Sequence, residues 1–140
     1  KDTKTGPMKN IHELCDVVRE TSFSIHRYLR HGHLEKVYEN ALTHRLRKLG
    51  LSVEQQYPID VRDEDGTLLG EFFADLVVEQ HLIVELKAVK SIASEHVAQV
   101  LGYLRATGSE HALLINFGAP VLYVKKFILS DGEQGTGLSL

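Results

Sequence analysis

The sequence predicts an α/β (α+β) fold in which a central mixed β-sheet is flanked by helices. Apolar side chains recur at helical spacing over roughly the first 50 residues. The spacing then changes to every second residue, as in half-buried strands, up to residue 88. A third helical stretch separates these strands from two further apolar runs. The element order is therefore ααβββαββ, and strands that cluster before the third helix favour a mixed sheet.

The amino-terminal part of the chain predicts two amphipathic helices. The first covers residues 10–30, with Asn10 as its N-cap and Glu13 completing a capping box. The second covers residues 34–49 and is closed by Gly50, a residue type that commonly follows the last helical turn. Each helix has one apolar stripe, so we expect both to pack on the sheet.

Five strands are predicted, three before the third helix and two after it. Asp65-Gly66 is the strongest turn signal between the first two strands. Residues 79–81 turn the chain again, and the third strand is apolar enough to be central. The predicted strands cover residues 51–61, 68–78, 82–88, 112–117 and 121–129.

The third helix is expected to be capped by Ser94 and to run to Thr107, with Gly108 ending it. The side chains expected to face inward are Val97, Leu101 and Leu104.

A length of 140 residues, with 43% apolar and 25% charged residues, fits one globular domain. We expect it to span residues 10–130, with residues 1–9 as a tail or an expression remnant and residues 131–140 as a flexible tail. The single cysteine, Cys15, excludes an internal disulfide framework and a multi-cysteine zinc site. No signal peptide is visible, and no apolar run approaches the roughly 18–20 residues of a membrane span. We therefore expect a cytoplasmic protein with no membrane partner.

Charge is distributed unevenly along the chain. Residues 19–48 carry seven Lys and Arg against three Glu, whereas residues 54–85 carry nine Asp and Glu against one Arg. Solvated helix faces would explain this pattern. An acidic metal site flanked by a basic surface would explain it equally well.

Three charged residues lie in sequence that otherwise predicts buried strands. If residues 79–81 form a three-residue loop, Val78 pairs with Leu82 and Asp75 lies opposite Glu85. Asp75, Glu85 and Lys87 then share one face, and the other face is wholly apolar. A slip of one residue would mix charge into the apolar set, so the pattern itself favours this register.

Two opposed carboxylates repel each other unless a proton or a cation lies between them. A few oxygen ligands suit Mg²⁺ or Mn²⁺, which keep several waters and often bind phosphate as well. Lys87 would then orient or deprotonate a water, or stabilise charge on a reacting phosphate. A structural Asp/Glu–Lys ion pair at a strand end is the alternative that these three residues leave open.

The wider sequence resembles the GxxExxY family of the PD-(D/E)xK nuclease superfamily. Asp75…Glu85-x-Lys87 matches the superfamily's name motif, with Ala74 in place of its proline, and Gly32-x-x-Glu35-x-x-Tyr38 matches the motif that names the family. The resemblance spans residues 11–129 in five ordered blocks. The name motif covers two of these blocks, one around Ala74-Asp75 and one around Glu85-Leu86-Lys87. The remaining two are Gln99-x-x-x-Tyr103, which is also similar to an element of RecB-like nucleases, and the run from Leu113 to Gly118.

This resemblance implies a restriction-endonuclease-like core and a role for each matching residue. The carboxylates of Asp75 and Glu85 and the backbone carbonyl of Leu86 would bind the metal, and Lys87 would help to activate a water. Glu35 would reach the metal directly or through a water. Gln99 and Tyr103 would position the lysine or the substrate backbone. Without the resemblance, Glu35 fits a first-turn glutamate that the helix dipole favours. Gln99 fits an ordinary surface glutamine, and Tyr103 fits a half-buried tyrosine.

The function that follows is a Mg²⁺- or Mn²⁺-dependent nuclease that acts on nucleic acid, with DNA favoured over RNA and a 5′-phosphate as product. Small nucleases of this kind often work as homodimers, so that two sites address two strands. The alternative is a non-catalytic nucleic-acid-binding or accessory module on the same fold. A third interpretation is an α/β domain whose strand charges are only ion pairs.

Overall fold

A computed structural model of the protein describes residues 10–129. The predicted tails, and the last residue of the predicted domain, lie outside these residues. The observed order ααβββαββ agrees with the predicted one. The elements are α1 (Ile11–Leu29), α2 (Glu35–Lys48), β1 (Val53–Arg62), β2 (Leu68–Val78), β3 (Leu82–Lys87), α3 (Ser94–Thr107), β4 (His111–Asn116) and β5 (Tyr123–Ile128).

The five strands form one mixed sheet in the order β1-β2-β3-β4-β5. β3 and β4 are parallel, and every other neighbouring pair is antiparallel. A parallel pair needs a crossover connection, and α3 supplies it between β3 and β4. No helix among residues 10–129 is both long and apolar enough to cross a bilayer.

Helices cover both faces of the sheet. On one face α1 and α2 pack against the even-numbered residues of β2 and β3, and this buried cluster includes Leu76, Val84 and Leu86. On the other face α3 packs against Val77 and Ile83. Alternate residues of a strand point to opposite faces, so β3 is buried on both, as its continuous apolar run predicts.

The amino-terminal helices begin and end as predicted. The side chain of Asn10 accepts a hydrogen bond from the amide of Glu13 at 2.9 Å, and the Glu13 carboxylate accepts one from the Asn10 amide at 3.2 Å. This reciprocal pair is the predicted capping box, and it satisfies two amides that have no partner within the helix. Gly50 follows α2 with a φ of 89°, a backbone conformation that favours glycine.

The third helix corrects one prediction. Its N-cap is Ala93 rather than Ser94, and the ring nitrogen Nδ1 of His96 accepts a hydrogen bond from the Ala93 amide at 2.9 Å. The predicted inward-facing residues agree with the structure, since Leu104 is buried and Val97 and Leu101 are partly buried against the same cluster. Val100 and Tyr103 are buried in addition, and the helix contacts both β1 and β4.

The loops after β3 and β4 are held together by Asn116. Its buried side-chain oxygen accepts hydrogen bonds from the amides of Val89 and Gly118, both at 3.0 Å, and its amide nitrogen donates to the Val89 carbonyl at 2.9 Å. A Cβ atom added at Gly118 would lie 2.2 Å from the backbone nitrogen of Val89. Glycine is therefore required because two backbones approach closely.

Gly118→Ala is expected to lower the free energy of unfolding by about 1–3 kcal/mol, because the added methyl group meets backbone that has to shift. Thermal melts followed by circular dichroism measure the loss. Gly102→Ala is the matched control, since a Cβ there meets no atom within 4 Å and alanine favours a helix. An unchanged melting temperature for Gly118→Ala would contradict the close approach.

Candidate active site

The predicted register of β2 and β3 is confirmed where the two strands pair. Val78 lies opposite Leu82 and Leu76 lies opposite Val84. Beyond Leu76 and Val84, the two strands are joined by hydrogen bonds between backbone amides and side-chain carboxylates. The Asp75 amide donates to Oε1 of Glu85 at 3.1 Å, and the Leu86 amide donates to Oδ2 of Asp75 at 2.8 Å. Each carboxylate thus accepts a hydrogen bond from a backbone amide of the other strand.

Both carboxylates are buried, with Asp75 7% and Glu85 4% exposed. Burial raises the pKa of each because a charged carboxylate loses hydration in the interior. The negative charge of Asp75 raises the pKa of Glu85 further, to about 8. At neutral pH the pair therefore favours a proton on Glu85 or a bound cation, either of which removes the repulsion between the two carboxylates.

Lys87 ends β3 beside this pair, and its Nζ donates to Oε1 of Gln99 on α3 at 3.1 Å. The predicted contact between lysine and glutamine is therefore present. The ion pairs among residues 10–129 join Arg19 with Asp16, Lys36 with Glu39, Arg62 with Asp60 and His111 with Glu110. Lys87 forms no salt bridge with Asp75 or Glu85, although its charge lowers the pKa of both carboxylates.

Glu35 is the first residue of α2 and is half-buried. Its pKa is raised by burial first and by the charge of Asp75 second, while Lys87 lowers it. The Glu35 side chain therefore lies within electrostatic reach of the carboxylate pair.

Tyr38 fixes the beginning of α2. Its ring is fully buried and stacks on Phe117, with centroids 4.6 Å apart and ring planes at 10°. Its hydroxyl donates to the carbonyl of Arg30 at 2.6 Å and accepts from the amide of His33 at 3.1 Å. These contacts hold the linker between α1 and α2, which sets where Glu35 begins the helix.

Tyr103 approaches the same carboxylates from α3. Its side chain is 7% exposed, and burial together with the charges of Glu85 and Asp75 raises its pKa to about 12. The hydroxyl therefore keeps its proton at neutral pH and is available as a hydrogen-bond donor.

The structure adds two residues that the sequence did not single out. Glu39 on α2 is 2% exposed and accepts hydrogen bonds from Lys36, Gln55 and Gln56. Gln56 also donates to Oδ1 of Asp75 at 3.4 Å, so it links the two acids. The i, i+4 spacing of Glu35 and Glu39 would have indicated a shared helix face.

The basic part of the chain is partly engaged in internal contacts. Nη1 of Arg45 donates to the Ser24 hydroxyl at 3.1 Å, which ties α2 to α1. Nη2 of Arg47 donates to the Val53 carbonyl at 2.7 Å, which ties α2 to β1. Both guanidinium groups therefore have a structural role.

Comparison with protein families decides the family. A model of the PD-(D/E)XK nuclease superfamily matches residues 12–127, which is most of the chain. The chain belongs to the PD-(D/E)XK nuclease superfamily. The observed fold is consistent with the restriction-endonuclease-like core of that superfamily. Searches of curated proteins and of solved structures found no significant match.

Members of the PD-(D/E)XK nuclease superfamily generally use divalent metals. Across residues 10–129, no group of three or more His, Cys, Asp and Glu side chains is arranged to hold a metal ion. Two carboxylates, of Asp75 and Glu85, are adjacent, and a cation would relieve their repulsion. Carboxylate and carbonyl oxygens with several waters suit Mg²⁺ or Mn²⁺, so the pair fits such an ion in its chemistry.

Proposed function

We propose that the protein is a metal-dependent nuclease that hydrolyses phosphodiester bonds in nucleic acid, with DNA as the preferred polymer. The observation that carries the proposal is the buried pair of Asp75 and Glu85, each bonded across β2 and β3, in a chain of a nuclease superfamily. Burying two acids side by side costs free energy, and binding of a cation between them would offset that cost.

The pair and its neighbours have distinct roles in this proposal. Asp75, Glu85 and the Leu86 carbonyl would hold Mg²⁺ or Mn²⁺, with Glu35 reaching the ion through a water. The bound ion would neutralise charge on the phosphate and lower the pKa of a water. Lys87 would orient that water or stabilise the developing charge, and Gln99 would keep its amine in place.

Tyr103 and Glu39 would act around this centre. The protonated Tyr103 hydroxyl would donate a hydrogen bond to the substrate backbone. Glu39, held by three side-chain donors, would position Gln56 against Asp75. Assignment to the GxxExxY family is part of the proposal, and it is supported by the contacts that Tyr38 makes at the start of α2.

The test is a cleavage screen with Mg²⁺ and Mn²⁺ over single-stranded, duplex and branched DNA and RNA, with the ends of the products identified. We expect metal-dependent cleavage that leaves a 5′-phosphate and is lost in Glu85→Gln. Glu71→Gln is the matched control because Glu71 carries the same charge on β2 but is exposed. Cleavage that persists undiminished in Glu85→Gln would overturn the assignment of the site.

Calorimetry separates the nuclease from the accessory module. We expect Mn²⁺ to bind wild-type protein at near-millimolar concentration and Glu85→Gln to bind it more weakly. Nucleic-acid binding with no metal binding would favour the module instead. Homodimer formation and a cytoplasmic location stay predictions, and light scattering in the presence of duplex DNA tests the first.

A further inference from the structure

An open cleft of about 630 Å³ lies between α3 and the hairpin of β1 and β2. The hairpin reaches past β3, since β2 pairs with β3 only from Leu76 to Val78 but pairs with β1 as far as Leu68. The projecting part of the hairpin forms one wall and α3 forms the other. The lining residues that matter here are Arg62, Phe72, Gln99, Gly102, Tyr103 and Arg105.

This α3–hairpin cleft opens directly from the candidate active site. Gln99 lines the cleft and also accepts the hydrogen bond from Lys87. Tyr103 lines the cleft and also lies within electrostatic reach of Glu85 and Asp75. A strand whose phosphate reached the carboxylate pair would therefore have its neighbouring nucleotide at the mouth of the cleft.

The walls of the cleft combine aromatic and cationic groups. The rings of Phe72 and Tyr103 lie 6.5 Å apart between centroids and are inclined at 43°, so the buried Tyr103 supports the exposed ring of Phe72 in the wall of the cleft. Phe72 is 47% exposed, so about half of its ring surface is free for a base to stack on. Gly102 leaves the α3 wall open, because a Cβ there would meet no atom within 4 Å.

Two arginines line the cleft. Arg62 is paired with Asp60 at 3.1 Å, whereas Arg105 is exposed and has no ion-pair partner among the residues the structure describes. An unpaired guanidinium in the same cleft as the exposed ring of Phe72 matches the chemistry of a nucleotide, whose base stacks and whose phosphate is anionic.

We propose that the α3–hairpin cleft binds an unpaired nucleobase of the strand whose phosphate lies at Asp75 and Glu85. This proposal rests on the proposed function. A base inside an intact duplex is stacked between its neighbours and cannot enter a cleft without being extruded. The substrate class that follows is single-stranded nucleic acid, or the unpaired part of a frayed or branched one.

The sequence contains no tryptophan, so a single introduced indole reports on the cleft. In Phe72→Trp we expect a single-stranded oligonucleotide to quench the tryptophan fluorescence through stacking, and a blunt duplex of equal length to leave it unchanged. Phe73→Trp is the matched control, because adjacent strand residues point to opposite faces and Phe73 is similarly exposed, at 53%. Equal quenching in both variants, or none in Phe72→Trp while the oligonucleotide is bound, would overturn the proposal.

Filling the cleft is the second test. Gly102→Leu places a side chain in the open space without a clash at Cβ, and leucine favours a helix more than glycine does. We expect its affinity for a single-stranded oligonucleotide to fall about 5- to 150-fold, the range that the loss of one stacked base produces. Ala98→Leu adds the same bulk at an exposed position of α3 outside the cleft and is the control. Undiminished affinity in Gly102→Leu, with its melting temperature retained, would contradict base binding.

These measurements separate the cleft from the nuclease. Quenching in Phe72→Trp without cleavage of any polymer would support the cleft and count against catalysis. Cleavage of a single-stranded substrate without quenching would support catalysis and overturn the cleft. Running the fluorescence assay in chelator with DNA and RNA oligonucleotides keeps binding apart from hydrolysis and shows which polymer the cleft prefers.

Discussion

Lys87→Met is expected to lower the rate of nucleic-acid cleavage about 10²- to 10⁴-fold while leaving the fold intact. The lysine amine lies at the end of β3 beside the carboxylate pair, and groups that assist proton transfer or stabilise transition-state charge contribute rates of this size. Methionine keeps most of the aliphatic stem, and Lys87 has no ion pair with Asp75 or Glu85 that the change would break. The measurement is kcat on the best substrate of the cleavage screen, with thermal melts and Mn²⁺ calorimetry on the same samples.

The matched control for this prediction is Lys90→Met. Lys90 follows β3 by three residues and is exposed, so the change removes the same charge without touching the carboxylate pair. We expect this control to weaken substrate binding slightly and to leave kcat unchanged, since a distant cation only attracts the polyanion. If both variants lost activity equally, and through KM alone, Lys87 would be only a phosphate contact.

Gln99→Leu is a companion measurement, because Gln99 acts on Lys87 rather than on the substrate phosphate. Its Oε1 accepts the Lys87 amine at 3.1 Å, so its loss should leave the lysine present but poorly oriented. We expect a smaller fall in kcat than in Lys87→Met and no further fall when both changes are combined. A fully additive double variant would show that Gln99 acts independently of Lys87.

The sequence predicted the register that brings Asp75 and Glu85 together because that register is the only one that keeps charge off the apolar face. Leu76, Val84 and Leu86 are fully buried, and moving any of them to the other face would cost hydrophobic burial. Burial therefore determines where the carboxylates lie, and the chemistry of the site follows from packing on the opposite side of the same strands. Periodicity in a sequence reports this kind of constraint directly.

The residues that sequence reasoning missed depend on contacts between distant segments. Glu39 is held by Gln56 from β1, and Gln56 takes a φ of 52° that no strand pattern predicts for a non-glycine residue. Asn116 joins its own strand end to Val89, 27 positions earlier in the chain. Neither contact produces a periodic sequence pattern, since each satisfies polar groups at a single point where two segments that are distant in sequence meet.

The wrong N-cap prediction at the start of α3 has a local cause. A serine before an apolar run is the expected N-cap, but Ser94 is already the first helical residue and Ala93 takes the capping position. The missing side-chain acceptor is compensated by His96, whose ring reaches back to the Ala93 amide. His96 is therefore satisfied by a hydrogen bond within its own helix turn.

Asp75→Asn is expected to stabilise the metal-free protein, by about 1–3 kcal/mol in the free energy of unfolding. The amide keeps an oxygen that can accept from the Leu86 amide, and it removes a buried charge that repels Glu85. In saturating Mn²⁺ the difference should shrink or reverse, because only wild type gains the free energy of metal binding, about 2.7 kcal/mol at a hundredfold excess over Kd. Thermal melts in chelator and in Mn²⁺ measure both, with the exposed Glu71→Gln as control.

The pH dependence of these melts distinguishes a carboxylate pair that binds a cation from a carboxylate pair that stabilises the fold. The folded-state pKa values of Asp75 and Glu85 lie above the ordinary values, so the folded protein binds these protons more tightly than the unfolded chain does. Their stabilising contribution is complete below the ordinary carboxyl pKa and is lost as the pH rises through the folded pKa, which for Glu85 is about 8. Wild type in chelator should therefore lose stability between pH 5 and 8. Asp75→Asn should lose less, because one titrating carboxyl is gone and Glu85 no longer has a charged neighbour. A variant less stable than wild type in chelator at pH 8 would mean that the Asp75 charge serves the fold, and the cation site would then have to be abandoned.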